Sequence, residues 1–273
     1  MRKKFVDVER IIASKNEKLL KRLPRFIISY LKRILHQEEI NQIIHENRDL
    51  HNEAFCNEIV ERFKLKLHSD GADNIPKDGG AIFVVNHPLG GMDAMALVSE
   101  FTRYRKDIRF IVNDILLTLE NLKGLFVGVN KHGSNVKDSM KDVDRLFASD
   151  HAIFVFPAGL VSRKIGDDVI DLDWKKAFVT QAVKYNKSVI PVYLEGELSP
   201  FFYRLSKIRQ WFRIKLNLEM LFLVNELFKQ KNKTIRITFG KAIPATNFDK
   251  SKTHRQWASW VKGEVYKLKT IDD

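Results

Sequence analysis

Apolar and polar positions along this chain follow two alternating patterns. Through residues 1–60 large apolar residues recur at three- and four-residue spacing among charges, the period of amphipathic helices. Phe26, Ile27, Tyr30, Leu31 and Ile34 are the clearest case, opened by Pro24, a residue suited to a first helical turn. Further on, short continuous apolar runs at 81–85 (AIFVV), 108–112, 125–129, 152–156 and 189–193 read as buried strands. A last strand is expected at 234–240. Helical stretches are expected at 94–104, 114–122, 136–147 and 174–185, with a closing helix near 253–268. A turn-rich stretch, 69–80, introduces the first of these strands. This alternation predicts an α/β fold, a largely parallel sheet flanked by helices, with an N-terminal amphipathic helical extension. No repeat or low-complexity linker interrupts it. The expected division is a basic, membrane-associating extension over 1–60 and an α/β domain over 61–273.

Between Leu198 and Lys233 the helical pattern returns with an unusual composition. Phe201, Phe202, Tyr203, Leu205, Ile208, Trp211 and Phe212 are interleaved with Arg204, Lys207, Arg209, Arg213 and Lys215, with no acid among them. Charge makes this stretch informative. The formal net charge is +13, which favours anionic partners. Eleven Lys or Arg stand against three acids in residues 1–33. Cations mixed with large aromatics at helical spacing favour an anionic membrane surface. Solvated charges on helices packed against the domain fit the same amphipathicity. Nucleic acid is not expected as a partner: no recognition helix, zinc finger or RNA-binding motif is apparent. No apolar run reaches the roughly 18–20 residues that span a bilayer, and no signal peptide is apparent at the start. With a hydrophobic fraction of 44% the chain can bury a sizeable core. Its one cysteine, Cys56, excludes an internal disulfide and suits a reducing compartment.

Polar turn residues gather at the ends of four expected strands: 86–93, 130–135, 156–164 and 190–192. Open α/β sheets place ligands where strand ends meet. In Asn86-His87-Pro88-Leu89-Gly90-Gly91-Met92-Asp93, His87 leaves a buried strand and Asp93 stands at the start of the next helix. A carboxylate on the same turn can fix the tautomer of an imidazole, whose other nitrogen then accepts a proton from a hydroxyl. A helix-capping Asp93 beside a satisfied turn histidine is the alternative. No Cys/His cluster has metal-ligand spacing, and no Gly-x-Ser-x-Gly elbow occurs.

Four motifs in order carry a family resemblance over about residues 60–245: NHPLGGMD, LFVGVNK, FPAGLVSRK and Ile190-Pro191-Val192. They resemble those of the glycerolipid acyltransferase superfamily, lysophosphatidate acyltransferase type. The resemblance implies that His87 is the general base and that Asp93 orients it. It implies an oxyanion held by backbone amides near Gly159, and an acceptor head bound by Asn130, Lys131, Ser162 and Arg163. The implied co-substrate is an acyl carrier protein or coenzyme A thioester, with no metal or other cofactor, at the cytoplasmic face of the membrane as a peripheral protein.

Three departures bear on the acceptor. Five residues separate His87 from Asp93 where the family has four, and the Gly90-Gly91 pair is expected to absorb the extra one. Ala158 stands where the family has glutamate, and the motif arginine comes two places later, at Arg163. These variants are closer to the branch labelled hemolysin or amino-acid-lipid O-acyltransferase. The expected acceptor is therefore the hydroxyl of an N-(3-hydroxyacyl) amino acid, a lyso-ornithine or lyso-glycine lipid. Lysophosphatidate is the runner-up. A non-catalytic basic membrane-binding protein is the alternative of another class.

Overall fold

In the computed structural model, residues 4–112, 117–128, 136–214 and 217–269 are described. Their helices in chain order are α1 (Val8–Arg22), α2 (Arg25–Ile34), α3 (Gln37–Glu46), α4 (Glu53–Arg62), α5 (Gly91–Phe101), α6 (Val136–Ala148), α7 (Ala177–Tyr185), α8 (Pro200–Trp211), α9 (Leu223–Phe228) and α10 (His254–Tyr266). Their strands are β1 (Lys66–Asp70), β2 (Ala81–Val85), β3 (Ile108–Val112), β4 (Phe126–Gly128), β5 (Ala152–Val155), β6 (Arg163–Ile165), β7 (Asp168–Ile170), β8 (Ser188–Leu194) and β9 (Thr234–Phe239). The chain forms two compact units. One takes Met1–Leu50 with Leu198–Lys229, the other His51–Glu197 with Gln230–Asp273.

The larger unit holds a seven-stranded sheet in the order β1-β9-β8-β2-β5-β3-β4. Neighbours run parallel except β8 and β9, which meet antiparallel. Strand β2 lies at the centre and is wholly buried, as its uninterrupted apolar run requires. Alternate residues of the strands serve opposite faces. On one face Phe83 stacks on Phe154 at 4.6 Å and meets Phe101 of α5 edge-on at 5.1 Å. On the other, Ile82, Val84, Ile153 and Val189 pack with Phe178 and Val179 of α7 and Trp257 and Val261 of α10. Both faces of the central strands are thereby fixed, which sets where their carboxyl ends point.

Three features depart from the sequence pattern. Strand β1 occupies part of a stretch expected to be turn; all five of its residues pair with β9. Over the described part of 114–122 there is short 3-10 geometry at Glu120–Leu122 instead of a helix. Tertiary bonds explain it: the Asn121 carbonyl accepts the Asn52 amide at 2.6 Å, and Asn52 Oδ1 accepts the Gly124 amide at 3.1 Å. Strands β6 and β7 form an unexpected antiparallel hairpin of three pairs.

The smaller unit is helical. Its helix α8 opens on Ser199, whose hydroxyl oxygen caps the Phe202 amide, with Pro200 in the first turn. Glu226 is buried and accepts the Ser199 amide at 2.6 Å and the Lys229 ammonium at 2.7 Å. Glu219 is likewise buried and bound to Arg209 at 2.8 Å. Helix α2 buries Ile34 and leaves Phe26 and Tyr30 exposed. No described helix is long and apolar enough to cross a membrane.

Candidate active site

At the carboxyl end of β2 the ladder continues through a side chain. Asn86 is buried, donates to the Leu194 carbonyl at 2.8 Å and accepts the Leu194 amide at 2.7 Å. This locks the exit of β2 to the end of β8, and His87 follows at once. The chain then turns through Gly90, whose φ of 69° and ψ of −127° suit glycine alone. Helix α5 begins at Gly91 and carries Asp93 in its first turn.

Asp93 is not the helix cap, a position Gly90 takes without a side-chain bond; it stands in the first turn of α5 and faces the histidine. Its Oδ2 lies 2.8 Å from His87 Nδ1, and both carboxylate oxygens accept the Leu89 amide at 3.1 Å. The same carboxylate thus holds the turn and orients the histidine, and the additional residue between them does not part the pair. Asp93 is fully buried, and burial raises its carboxyl above the usual range against the opposing pull of His87 and the Leu89 amide. With Nδ1 directed at Asp93, Nε2 is the ring nitrogen left for chemistry. The His87 side chain keeps 19% of its exposure, and its ring stacks on Phe156 at 4.3 Å.

The motif after β5 forms the adjoining wall. Gly159 has a φ of 67°, and its amide donates to the Phe156 carbonyl at 3.0 Å. This closes a tight turn and uses that amide within it. A β-carbon placed at Gly159 would sit 2.8 Å from Lys175 Nζ, so a cation overlies the turn. Ser162 and Arg163, expected to face the acceptor, point into the protein. Ser162 is fully buried and donates its hydroxyl to Asp171 Oδ1 at 2.5 Å. Arg163 is buried and donates to the Val161 carbonyl at 2.6 Å. Both stand at the foot of the β6–β7 hairpin, where the backbone enters the core and directs them inward. Asn130 and Lys131 lie outside the described residues.

Asp171 was missed in the sequence. It is buried, and Oδ1 accepts the His87 main-chain amide at 3.1 Å besides the Ser162 hydroxyl. Oδ2 accepts the Trp174 indole N–H at 2.8 Å. No spacing distinguishes it from Asp167, Asp168 and Asp173 nearby; only the hairpin does.

A family model described as acyltransferase matches residues 10–273. The lyso-glycine lipid O-acyltransferase of Phocaeicola vulgatus is 42% identical over 265 residues, 97% of this chain and 95% of that protein. The lyso-glycine lipid O-acyltransferase of Bacteroides thetaiotaomicron is 43% identical over 265 residues, 97% of each chain. The crystal structure of the 1-acyl-sn-glycerophosphate (LPA) acyltransferase PlsC from Thermotoga maritima aligns with a TM-score of 0.51 at 18% identity. It covers 91% of this chain and 94% of that one, a likeness of fold.

Proposed function

This chain belongs to the acyltransferase family, and on that premise we propose that it transfers a fatty acyl group to the hydroxyl of a lyso-glycine lipid. The donor in this reading is a thioester of acyl carrier protein or coenzyme A. The observation that carries the proposal is the 2.8 Å pair of His87 and buried Asp93 at the end of the central strand. Asp93 holds the proton on Nδ1. Nε2 takes the proton of the acceptor hydroxyl as that oxygen attacks the thioester carbonyl. The carbon–sulfur bond then breaks, and the leaving thiolate takes the proton back from the imidazolium. Such general-base assistance contributes on the order of 10²–10⁴ in rate.

The acceptor assignment rests on the names of two relatives that match nearly the whole chain. The departures around Ala158 and Arg163 agree with it, because the motif that meets the acceptor differs from the lysophosphatidate pattern. Asn130, Lys131 and the Gly159 turn under Lys175 are proposed to hold the acceptor's carboxylate. Ser162 and Arg163 act behind that surface. The enzyme is proposed to work as a peripheral protein on the cytoplasmic face of the membrane, where acyl thioesters are made and lipid acceptors reside.

The test offers purified protein N-(3-hydroxypalmitoyl)glycine and lysophosphatidate separately, each with palmitoyl-CoA and with palmitoyl-acyl carrier protein, and follows product by mass spectrometry. Acylation of the glycine lipid that is lost in His87→Ala is the expected result. A clear preference for lysophosphatidate would replace the acceptor. Undiminished transfer by folded His87→Ala would remove the general base.

A further inference from the structure

The β6–β7 hairpin stands on two feet, and both grip the same residue. At the first foot the Ser162 amide donates to the His87 carbonyl at 2.8 Å. At the second, the Asp171 carboxylate accepts the His87 amide at 3.1 Å. The Ser162 hydroxyl closes the ring by donating to the same Asp171 oxygen at 2.5 Å. Both main-chain polar groups of His87 are thus bonded to the hairpin, while its side chain is bonded to α5 through Asp93.

We infer that Asp171 is the positioning residue for His87: its buried carboxylate fixes the histidine's backbone against the hairpin and adds a second negative charge beside the base. The inference rests on the reading of His87 as general base. A buried carboxylate is costly unless its lone pairs are filled. Here Oδ1 takes two donors and Oδ2 the Trp174 indole. Its main chain is held as well. The Asp171 amide donates to the Tyr266 hydroxyl at 2.7 Å, and the Lys262 ammonium donates to its carbonyl at 2.6 Å. Three donors on the carboxylate and two partners on the main chain fix Asp171 in place behind His87. A loosened histidine backbone would swing the imidazole off its line of attack, and misplacement by about 1 Å can cost on the order of 10²-fold in rate.

Charge separates positioning from mere support. Among the described residues, the ionisable groups bonded to His87 are Asp93 from α5 and Asp171 from the hairpin foot, with Lys262 and Tyr266 of α10 on the Asp171 main chain and Lys175 over the neighbouring Gly159 turn. Two carboxylates favour the imidazolium that forms during the reaction. Negative charge at Asp171 is felt across the pair, since it acts to raise the Asp93 carboxyl as well.

In Asp171→Asn the oxygen can still accept from His87 and Ser162, but the amide N–H meets the Trp174 indole N–H. Trp174→Phe in the same chain removes that conflict. We expect the double variant to melt cooperatively and to lose about tenfold or more in kcat. The acid limb of its kcat/KM profile should move to lower pH, because the imidazolium is less favoured without the second carboxylate. Ser162→Ala keeps the charge and should lower kcat without moving that limb. In 15N–1H NMR its His87 amide resonance should shift while the ring's titration midpoint stays. Wild-type kcat in the folded double variant, or lost activity with an unmoved acid limb, overturns the inference. So does an unmoved His87 amide in Ser162→Ala, a result independent of whether the asparagine variants fold. Activity retained by His87→Ala would fail the general-base reading itself, and is told apart by that variant alone.

Discussion

Asp93 Oδ2 lies 2.8 Å from His87 Nδ1, and the same carboxylate accepts the Leu89 amide at 3.1 Å. One side chain therefore holds the turn before α5 and sets a tautomer. Asp93→Asn should separate the two duties. The asparagine oxygen can still accept the Leu89 amide, but its N–H then faces Nδ1 and moves the ring proton to Nε2. Activity should fall by about 10⁴, the order seen when a triad aspartate is so replaced.

Stability should move the other way. Burial raises the Asp93 carboxyl above its ordinary value of 3.8, so folding favours its protonated form. The folded chain accordingly carries a cost above the raised value, and loses that cost as pH falls through it towards 3.8. Asp93→Asn has no charge to bury. Its Tm should match or exceed wild type at pH 7, with the difference narrowing towards pH 4. A variant markedly less stable than wild type at pH 7 would contradict this sign.

Leu89 and Gly196 form a second close relationship at the site. Leu89 is buried, and a β-carbon at Gly196 would fall 2.7–2.9 Å from three of its side-chain atoms. Gly196→Ala must push Leu89, and with it the turn that carries His87. We expect overpacking to cost about 1–3 kcal/mol and to lower activity. Leu89→Ala in the same chain should recover part of both, a positive coupling in a double-mutant cycle. Strictly additive effects would show that the two residues do not communicate.

Cys56 supplies a probe of the fold near α5. It is fully buried, 3.6 Å from the Met95 sulfur, and burial pushes its thiol up to about 12. At pH 8 the thiolate fraction is then on the order of 10⁻⁴. A thiol reagent should leave the native protein unlabelled and label it once unfolded. Prompt labelling of native protein would indicate local opening around α4 and α5.

Legibility of the fold followed burial. Strands β2 and β5 are buried on both faces, so their apolar runs stood out in the chain. Strand β1 mixes Lys66, His68 and Asp70 with one large apolar residue, Leu67, and lies at the sheet edge. Its only local signal resembles a turn, and pairing with β9 decides it. The site divides in the same way. His87 and Asp93 share one turn, so spacing alone brought them together. Asp171 meets His87 across 84 positions through a hairpin of three-residue strands, and nothing local marks it among neighbouring aspartates. The direction of the Ser162 hydroxyl was equally hidden, because it depends on that same hairpin.

The last prediction concerns the smaller unit. Trp211 and Phe212 end α8 at 78% and 62% exposure with ring centroids 4.6 Å apart, and Arg213 turns the chain there at a φ of 54°. Both acids of the 198–229 segment, Glu219 and Glu226, are buried and bound to Arg209 and Lys229. Among its described residues the segment therefore shows solvent no acid, and its exposed groups include apolar side chains and the cations Arg204, Lys207 and Arg213. Each cation near an anionic surface contributes about 1 kcal/mol, within a Debye length of about 8 Å at physiological ionic strength. Vesicles containing anionic lipid should bind the protein, and salt should weaken that binding without abolishing it. Arg204→Glu, Lys207→Glu and Arg213→Glu together should remove the salt-sensitive part. Trp211→Ala with Phe212→Ala should remove the part that survives salt. Arg209 is left in place, because replacing it would strand the buried Glu219 carboxylate and confuse unfolding with release. Turnover of a detergent-dispersed acceptor should be unchanged in all of these variants. Equal sedimentation with neutral and anionic vesicles, unaffected by either set of replacements, would reduce this face to a solvated helix end.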